Sequence, residues 1–343
     1  MPEPAQTRMY LEAGESAAVV ARQLAANAAA VARIGAQLRR APPRAVVTCA
    51  RGSSDHAATY AKYLIETRAG VLTSSAAPSI ASVYGVAQHL EDCLFLAISQ
   101  SGRSPDLLAS VAAAKRSGAW VVALCNDTTA PLCSAADACL PLHAGPELSV
   151  AATKSWIASL AAIAQLVAAW TGDAQLSGDV ESLPAQLAEC WAQDWSEALP
   201  ALVHAEHLYV IGRGLGLALA QEVALKAKET CGLHAEAWSS AEVRHGPLAL
   251  LGERFPALLL AQDDATRPGL DSLAKELGAR GVPVMAAGCG APPVLRLPSP
   301  ALPAATAPIA LAASAYRLYA SLSVARGLDP DRPPHLRKVT ETT

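Results

Sequence analysis

CLFLAISQSGRSPDLLASVAAAKRS, residues 93–117, decides the fold. Cys93–Ser99 is a continuous apolar run that closes on a serine, the pattern of a strand buried on both faces. A loop follows in which Gly102 relaxes the backbone. Ser104 is suited to cap the next helix, and Pro105 to be its first residue. The helix is expected over Pro105–Ser117. Working outward, strands are expected at Ala45–Cys49, Val71–Ser74, Trp120–Cys125 and Cys139–Leu142. Helices are expected at Ala57–Arg68 and Ser149–Trp170. Alanine-rich Tyr10–Arg39 predicts one or two helices ended by Pro42-Pro43. Repeated strand–loop–helix predicts an α/β fold with a mainly parallel sheet.

Thr171–Pro184 carries Gly, Asp, Ser and Pro and reads as a joint. After a connecting helix at Gln186–Leu199 the alternation restarts. Strands are expected at His207–Ile211, Pro256–Gln262 and Val282–Ala287. Helices are expected at Leu217–Cys231, up to Ala279, and at Ala305–Arg326. VVTCARGSSDHAATYAKYLIETRAG (46–70) and LYVIGRGLGLALAQEVALKAKETCG (208–232) share a strand, an Arg-Gly turn, an alanine-rich helix and a Glu-Thr near the end. They read as diverged copies of one α/β unit, so different halves are expected to hold different parts of a site. The expected organisation is a helical segment (1–44), a first α/β domain (45–180), a second (181–327) and a carboxyl-terminal tail (328–343).

The chain has 343 residues, 52% hydrophobic and 17% charged, with a net charge of −3 and 4% aromatic residues. No basic run is present, which argues against nucleic acid as a main partner. The eight cysteines form no C-x-x-C pair and fall mostly in apolar segments, so they read as reduced thiols of a cytoplasmic protein. Charges run through Met1–Arg40, unlike a signal peptide. No apolar run reaches the ~18 residues of a membrane span. The apolar stretch Trp156–Trp170 reads as a buried helix.

LKAKETCGLHAEAWSSAEVRHGPLAL (225–250) concentrates charge. Lys226 and Glu229 are three apart and share a helix face. Ser239 is expected to open a second short helix, with Glu242 as a capping-box partner and Gly246-Pro247 as its stop after His245. A carboxylate and an imidazole at helix ends suit acid/base chemistry. A solvated, salt-bridged helix face fits the same charges.

Ser99, Gln100, Ser101 and Ser104 line the loop ahead of the Pro105 helix, where free N–H groups and the helix dipole attract an anion such as a phosphate monoester. A plain N-cap turn is the alternative. Arg51-Gly52-Ser53-Ser54 leaves the carboxyl end of the first strand, on the side where such sheets bind ligands. Val150–Lys154 either adds backbone donors at a helix start or is an ordinary helix start. Asp55 and His56 read as caps of the following helix. Other motifs fail. Gly212-Arg213-Gly214 lacks the third position of a dinucleotide fingerprint, and no phosphate-binding G-x-x-x-x-G-K-[ST] or G-x-S-x-G elbow exists. His204 and His207 have metal-like spacing without H-E-x-x-H.

SQSGRSPD, AATKS, the doubled α/β unit, ALKAKETCGLHAEAWSSAEVRHGPLAL and LRKVT, in this order, resemble the sugar isomerase (SIS) family over nearly the whole chain. They look like the isomerase half of glucosamine-6-phosphate synthase. ARGSSDHA, AKYLIE, AAPSIASVYG and SQSGRSPD look most like the single-chain SIS-type glucosamine-6-phosphate deaminases. A glutaminase domain with a Cys at position 2 is not expected here. The resemblance implies that Ser99, Gln100, Ser101 and Ser104 hold the sugar phosphate, and that Ser54 and Val150 touch the sugar. It implies Glu229 as the base between C1 and C2, His245 as the ring-opening group, and Lys226 as electrostatic support. Lys338 matches the lysine that holds the open-chain sugar in the synthase. It also implies a homodimer whose sites are shared between subunits.

Two departures stand out. Arg103 replaces a carboxylate among the sugar contacts, and Ala152 replaces a serine. The implied reaction converts glucosamine 6-phosphate and water to fructose 6-phosphate and ammonia, with no cofactor or metal required. Another aminosugar-phosphate deaminase, a fructosamine-phosphate deglycase, an ammonia-using synthase-like activity, and a non-enzymatic sugar-phosphate sensor are the alternatives. A sensor has no need of Glu229 and His245.

Overall fold

The computed structural model describes residues 3–338, in two compact units. One takes residues 18–146 and 155–181; the other takes 3–17, 147–154 and 182–338.

The first unit is built on β1 (Ala45–Cys49), β2 (Thr73–Ser75), β3 (Cys93–Ser99), β4 (Trp120–Cys125) and β5 (Ala138–Pro141). Their order is β2-β1-β3-β4-β5, and every pair is parallel. All of β3 is buried, because it pairs with β1 on one side and β4 on the other while helices cover the sheet. Phe95, Leu107, Val111, Val121 and Leu132 pack together in its core.

The second unit is built on β6 (His207–Gly212), β7 (His234–Ser239), β8 (Ala257–Leu260), β9 (Val284–Ala287) and β10 (Leu295–Leu297). The order is β7-β6-β8-β9-β10, again all parallel. Replacing β1–β5 by β6–β10 turns one order into the other, as expected from the repeat at 46–70 and 208–232. The fold is α/β, with a parallel sheet flanked by helices in each unit. The turn from β6 into the Gly216–Cys231 helix is tight. A Cβ on Gly212 would lie 2.3 Å from the carbonyl oxygen of Gly216, which explains the glycine without any nucleotide. Tyr209, Leu259, Leu270, Leu277 and Val284 form part of the core.

Several expectations are corrected. Residues 234–239 form the edge strand β7, and Ser239 ends it instead of opening a helix. The Ser239 hydroxyl accepts from the Ala241 N–H, and Glu242–His245 is a 3-10 turn with no side-chain cap. The long helix starts at Lys154, leaving 149–153 as loop. The helix after β1 starts at Ser53, so Asp55 and His56 lie in its first turn and do not cap it. β10 and the short helices Ser79–Ser82, Pro131–Ala135 and Ala174–Glu181 were not expected. Cys133 and Cys139 lie side by side, with Cα atoms 5.5 Å apart. The other six cysteines are free and buried. Among the described residues no helix is long and apolar enough to cross a membrane.

Candidate functional site

In the first unit, the β3 loop is drawn tight by its own serine. The Gly102 N–H donates to Ser99 Oγ at 3.0 Å, and Gly102 has φ of 64°. A Cβ there would lie 2.6 Å from Cys125 Sγ and 2.8 Å from Ala130 Cβ, so the turn needs glycine. Ser104 holds the N-cap position with extended backbone and Pro105 is the first helical residue, but the Ser104 hydroxyl makes no capping bond. The Ser101 and Ser104 hydroxyls have no hydrogen-bond partner among the described residues, so both remain available to a ligand.

The loop after β1 is tied to the same helix start. Arg51 donates to Asp106 Oδ2 through Nε at 2.9 Å and Nη2 at 2.8 Å, and the Asp106 carboxylate is fully buried. Ser54 lies in the first turn after β1. Arg103 turns to the loop after β4, where Nη2 meets Asp127 Oδ2 at 2.8 Å. Bonds from the Thr129 hydroxyl, then Arg103, hold the Asp127 carboxyl down at about 2.

In the second unit, the Gly216–Cys231 helix carries Glu222, Lys226 and Glu229 along one face. Lys226 Nζ bonds Glu229 Oε2 and lies 3.4 Å from Glu222 Oε1. The Lys226 and Glu222 side chains are 1% and 0% exposed, whereas Glu229 is 22% exposed. Burial pulls the Lys226 pKa down, but Glu222 and then Glu229 outweigh it and leave the ammonium above its ordinary range. Tyr316 donates to Glu222 Oε1 at 3.2 Å. Burial first, then Glu222, raises the Tyr316 hydroxyl well above its ordinary range; Glu147 and Glu229 add to this.

Lys338 docks on the 147–154 loop of the same unit. Its Nζ donates to Glu147 Oε2 at 3.2 Å and to the Ser149 carbonyl at 2.8 Å. The buried Glu147 also accepts the Thr153 N–H at 3.0 Å. This places Lys338 beside the loop that holds Val150. Leu336 is 44% exposed, whereas Pro330 and Pro333 are buried among the described residues of the tail. His245 is exposed at the end of its 3-10 turn, and no hydrogen bond among the described residues joins it to Glu229, Lys226 or Lys338. His207 Nδ1 lies 3.1 Å from His234 Nδ1, not in a cluster with His204. No group of three His, Cys, Asp or Glu among the described residues could hold a metal.

Sequence reasoning missed Glu222, Tyr316 and Glu147. Glu222 had a signal, since it sits four residues before Lys226 on the same face. Tyr316 and Glu147 had none, because their partners are 94 and 191 residues away.

The SIS domain family matches residues 40–169 and 201–327. Glutamine–fructose-6-phosphate aminotransferase [isomerizing] of Aeropyrum pernix is 34% identical over 307 residues, covering 84% of this chain and 49% of that protein. The same-named protein of Symbiobacterium thermophilum is 34% identical over 332 residues, covering 88% of this chain and 52% of its own. The chain thus spans about half the length of these curated relatives.

Among solved structures, a chain from Silicibacter pomeroyi DSS-3, provisionally named a phosphosugar isomerase, superposes with TM-score 0.91 at 42% identity, covering 95% of this chain and all of that one. The C-terminal domain of glucosamine-fructose-6-phosphate aminotransferase from Francisella tularensis gives 0.84 at 25%, covering 96% and 98%. Glucosamine-6-phosphate deaminase from Thermotoga maritima shares the fold, with TM-score 0.79 at 19% identity, covering 98% and 100%. With both of its α/β segments matched, this chain belongs to the SIS domain family.

Proposed function

We propose that this chain deaminates glucosamine 6-phosphate, giving fructose 6-phosphate and ammonia. The observation that carries the reading is the Glu222–Lys226–Glu229 row, in which the outermost carboxylate alone reaches solvent. A carboxylate held against a buried cation is placed for repeated proton transfer without drifting.

In this reading the phosphate rests on the Ser99, Gln100, Ser101 and Ser104 loop, where the 12-residue helix from Pro105 presents free N–H groups. Ser54 and the Val150 loop contact the sugar. His245 moves the proton that opens the ring, and the shared-subunit expectation supplies the neighbour from which it acts. Glu229 removes the C2 proton of the open-chain aldose and returns it to C1. The product is a C2 imine of fructose 6-phosphate, and water adds to it to release ammonia. Lys226 steadies the charge on Glu229, and Lys338 holds the open chain.

The relatives named as aminotransferases favour a second reading, amination of fructose 6-phosphate by ammonia through the same steps in reverse. One assay separates the readings from each other and from a sensor. Ammonia is measured after incubation with the 6-phosphates of glucosamine and galactosamine, and hexosamine phosphate after incubation of fructose 6-phosphate with ammonium or with glutamine. Ammonia release from glucosamine 6-phosphate is expected. Hexosamine formation that requires glutamine would sink the deaminase reading, and binding without any conversion would leave the sensor.

Ser101→Ala is expected to weaken binding and spare turnover. Loss of one hydrogen bond to a charged oxygen costs roughly tenfold in affinity. Titration with glucosamine 6-phosphate checks it, and unchanged affinity would remove Ser101 from the phosphate loop.

A further inference from the structure

The α-helix α1 (Arg8–Gly14) is bonded to both parts of the Lys338 environment. Asp331, in the tail, accepts the Arg8 N–H through Oδ2 and the Met9 N–H through Oδ1, both at 2.8 Å. These two N–H groups open a helix and have no partner within it, so a carboxylate that takes both is a cap delivered from 323 residues away. Further along α1, Glu12 is 7% exposed and accepts the N–H groups of Leu148 and Ser149. The Ser149 carbonyl is in turn the closer acceptor of Lys338 Nζ. A closed circuit results: tail to α1, α1 to loop, loop back to tail. Glu15, just past the helix, adds a bond from Lys154 Nζ at 2.6 Å at the loop's far end.

We infer that α1 is the positioning element for Lys338, with Glu12 and Asp331 as its two positioning residues. The reason is energetic. The tail has no hydrophobic period, and Lys338 itself lies beyond its last buried residue, Pro333. A segment ordered by so little apolar burial stays ordered only while polar contacts offset its conformational entropy. The bonds that do this involve ionised groups, which are the stronger kind. Glu12 acts close to the lysine, by holding the N–H of Ser149, the residue whose carbonyl receives it. Asp331 acts from the other side, by fixing the tail seven residues upstream of Lys338.

The role of Lys338 in turnover rests on the proposed function, but its placement does not, and the test keeps the two apart. Purified full chain, without sugar phosphate, is treated with an amine-acylating reagent, and modification of Lys338 is followed by peptide mass spectrometry. Exposed Lys275 is the internal reference. Glu12→Gln and Asp331→Asn are each expected to speed acylation of Lys338 severalfold while Lys275 and the melting temperature stay near wild type. Glu206→Gln, on the exposed surface, is expected to change neither. With glucosamine 6-phosphate, both variants are expected to lower kcat with little change in KM. Asp331→Asn decides the matter if Glu12→Gln fails to fold, because Asp331 lies in the tail. Unchanged Lys338 labelling in a folded Asp331→Asn chain overturns the inference. Faster labelling in the variants, with no ammonia released by the wild-type chain, upholds it and overturns the proposed activity instead.

Discussion

Glu229→Gln is expected to lower turnover of glucosamine 6-phosphate by at least ~10²-fold, the lower end of what a positioned general base supplies. The substitution keeps the shape and hydrogen-bonding capacity of the side chain and removes only the proton acceptor. Sugar phosphate should still bind, because the hydroxyl loop at Ser99–Ser104 is untouched. The buried end of the row also survives, since Glu222, bonded by the Tyr316 hydroxyl, continues to pair with Lys226. Single-turnover kinetics beside a binding titration check both halves of the expectation. Full activity in Glu229→Gln would overturn the assignment of the base, and lost affinity would show that Glu229 serves binding.

Lys226→Met is expected to produce the largest loss of stability. Lys226 is almost fully buried between two carboxylates, one of them with no exposure at all. Its removal takes away the cation that faces the buried Glu222 carboxylate, which the Tyr316 hydroxyl also bonds. Breaking a buried ion pair from one side costs about 3–5 kcal/mol, because the desolvation of the other side is left uncompensated. A shift of the urea midpoint, followed by a probe in the second unit, measures it. Glu222→Gln together with Lys226→Met should recover much of the loss, since a neutral amide is cheaper to bury than an orphaned carboxylate.

The pH dependence has a definite sign. The folded lysine holds its proton more tightly than the unfolded chain, so the pair's contribution is fully present at neutral pH. It is lost as pH rises through the raised lysine pKa. A Lys226→Met chain as stable as wild type at neutral pH would mean that the row contributes nothing to the fold.

Much of this protein was legible without coordinates. Strands β1, β3 and β4 span the residues expected from their apolar runs, because a central parallel strand is buried on both faces and its sequence says so directly. The duplication was legible as a faint match between 46–70 and 208–232, and the equivalent strand orders follow from it. The hydroxyl-rich loop and the contact of Lys226 with Glu229 were also local, set by adjacency and by helix spacing.

The tertiary structure decided the rest. β7 and β10 lie at sheet edges, half covered, where sequence carries little of the apolar signature and pairing partners make the strand. Glu222 became the buried end of an ion row only when Tyr316 packed against it. Lys338 found its place through Glu147, Ser149, Glu12 and Asp331, residues scattered from one end of the chain to the other. Helix periodicity and strand alternation report on neighbours within a few positions, whereas a hydrogen bond across hundreds of residues depends on where the whole chain brings its ends.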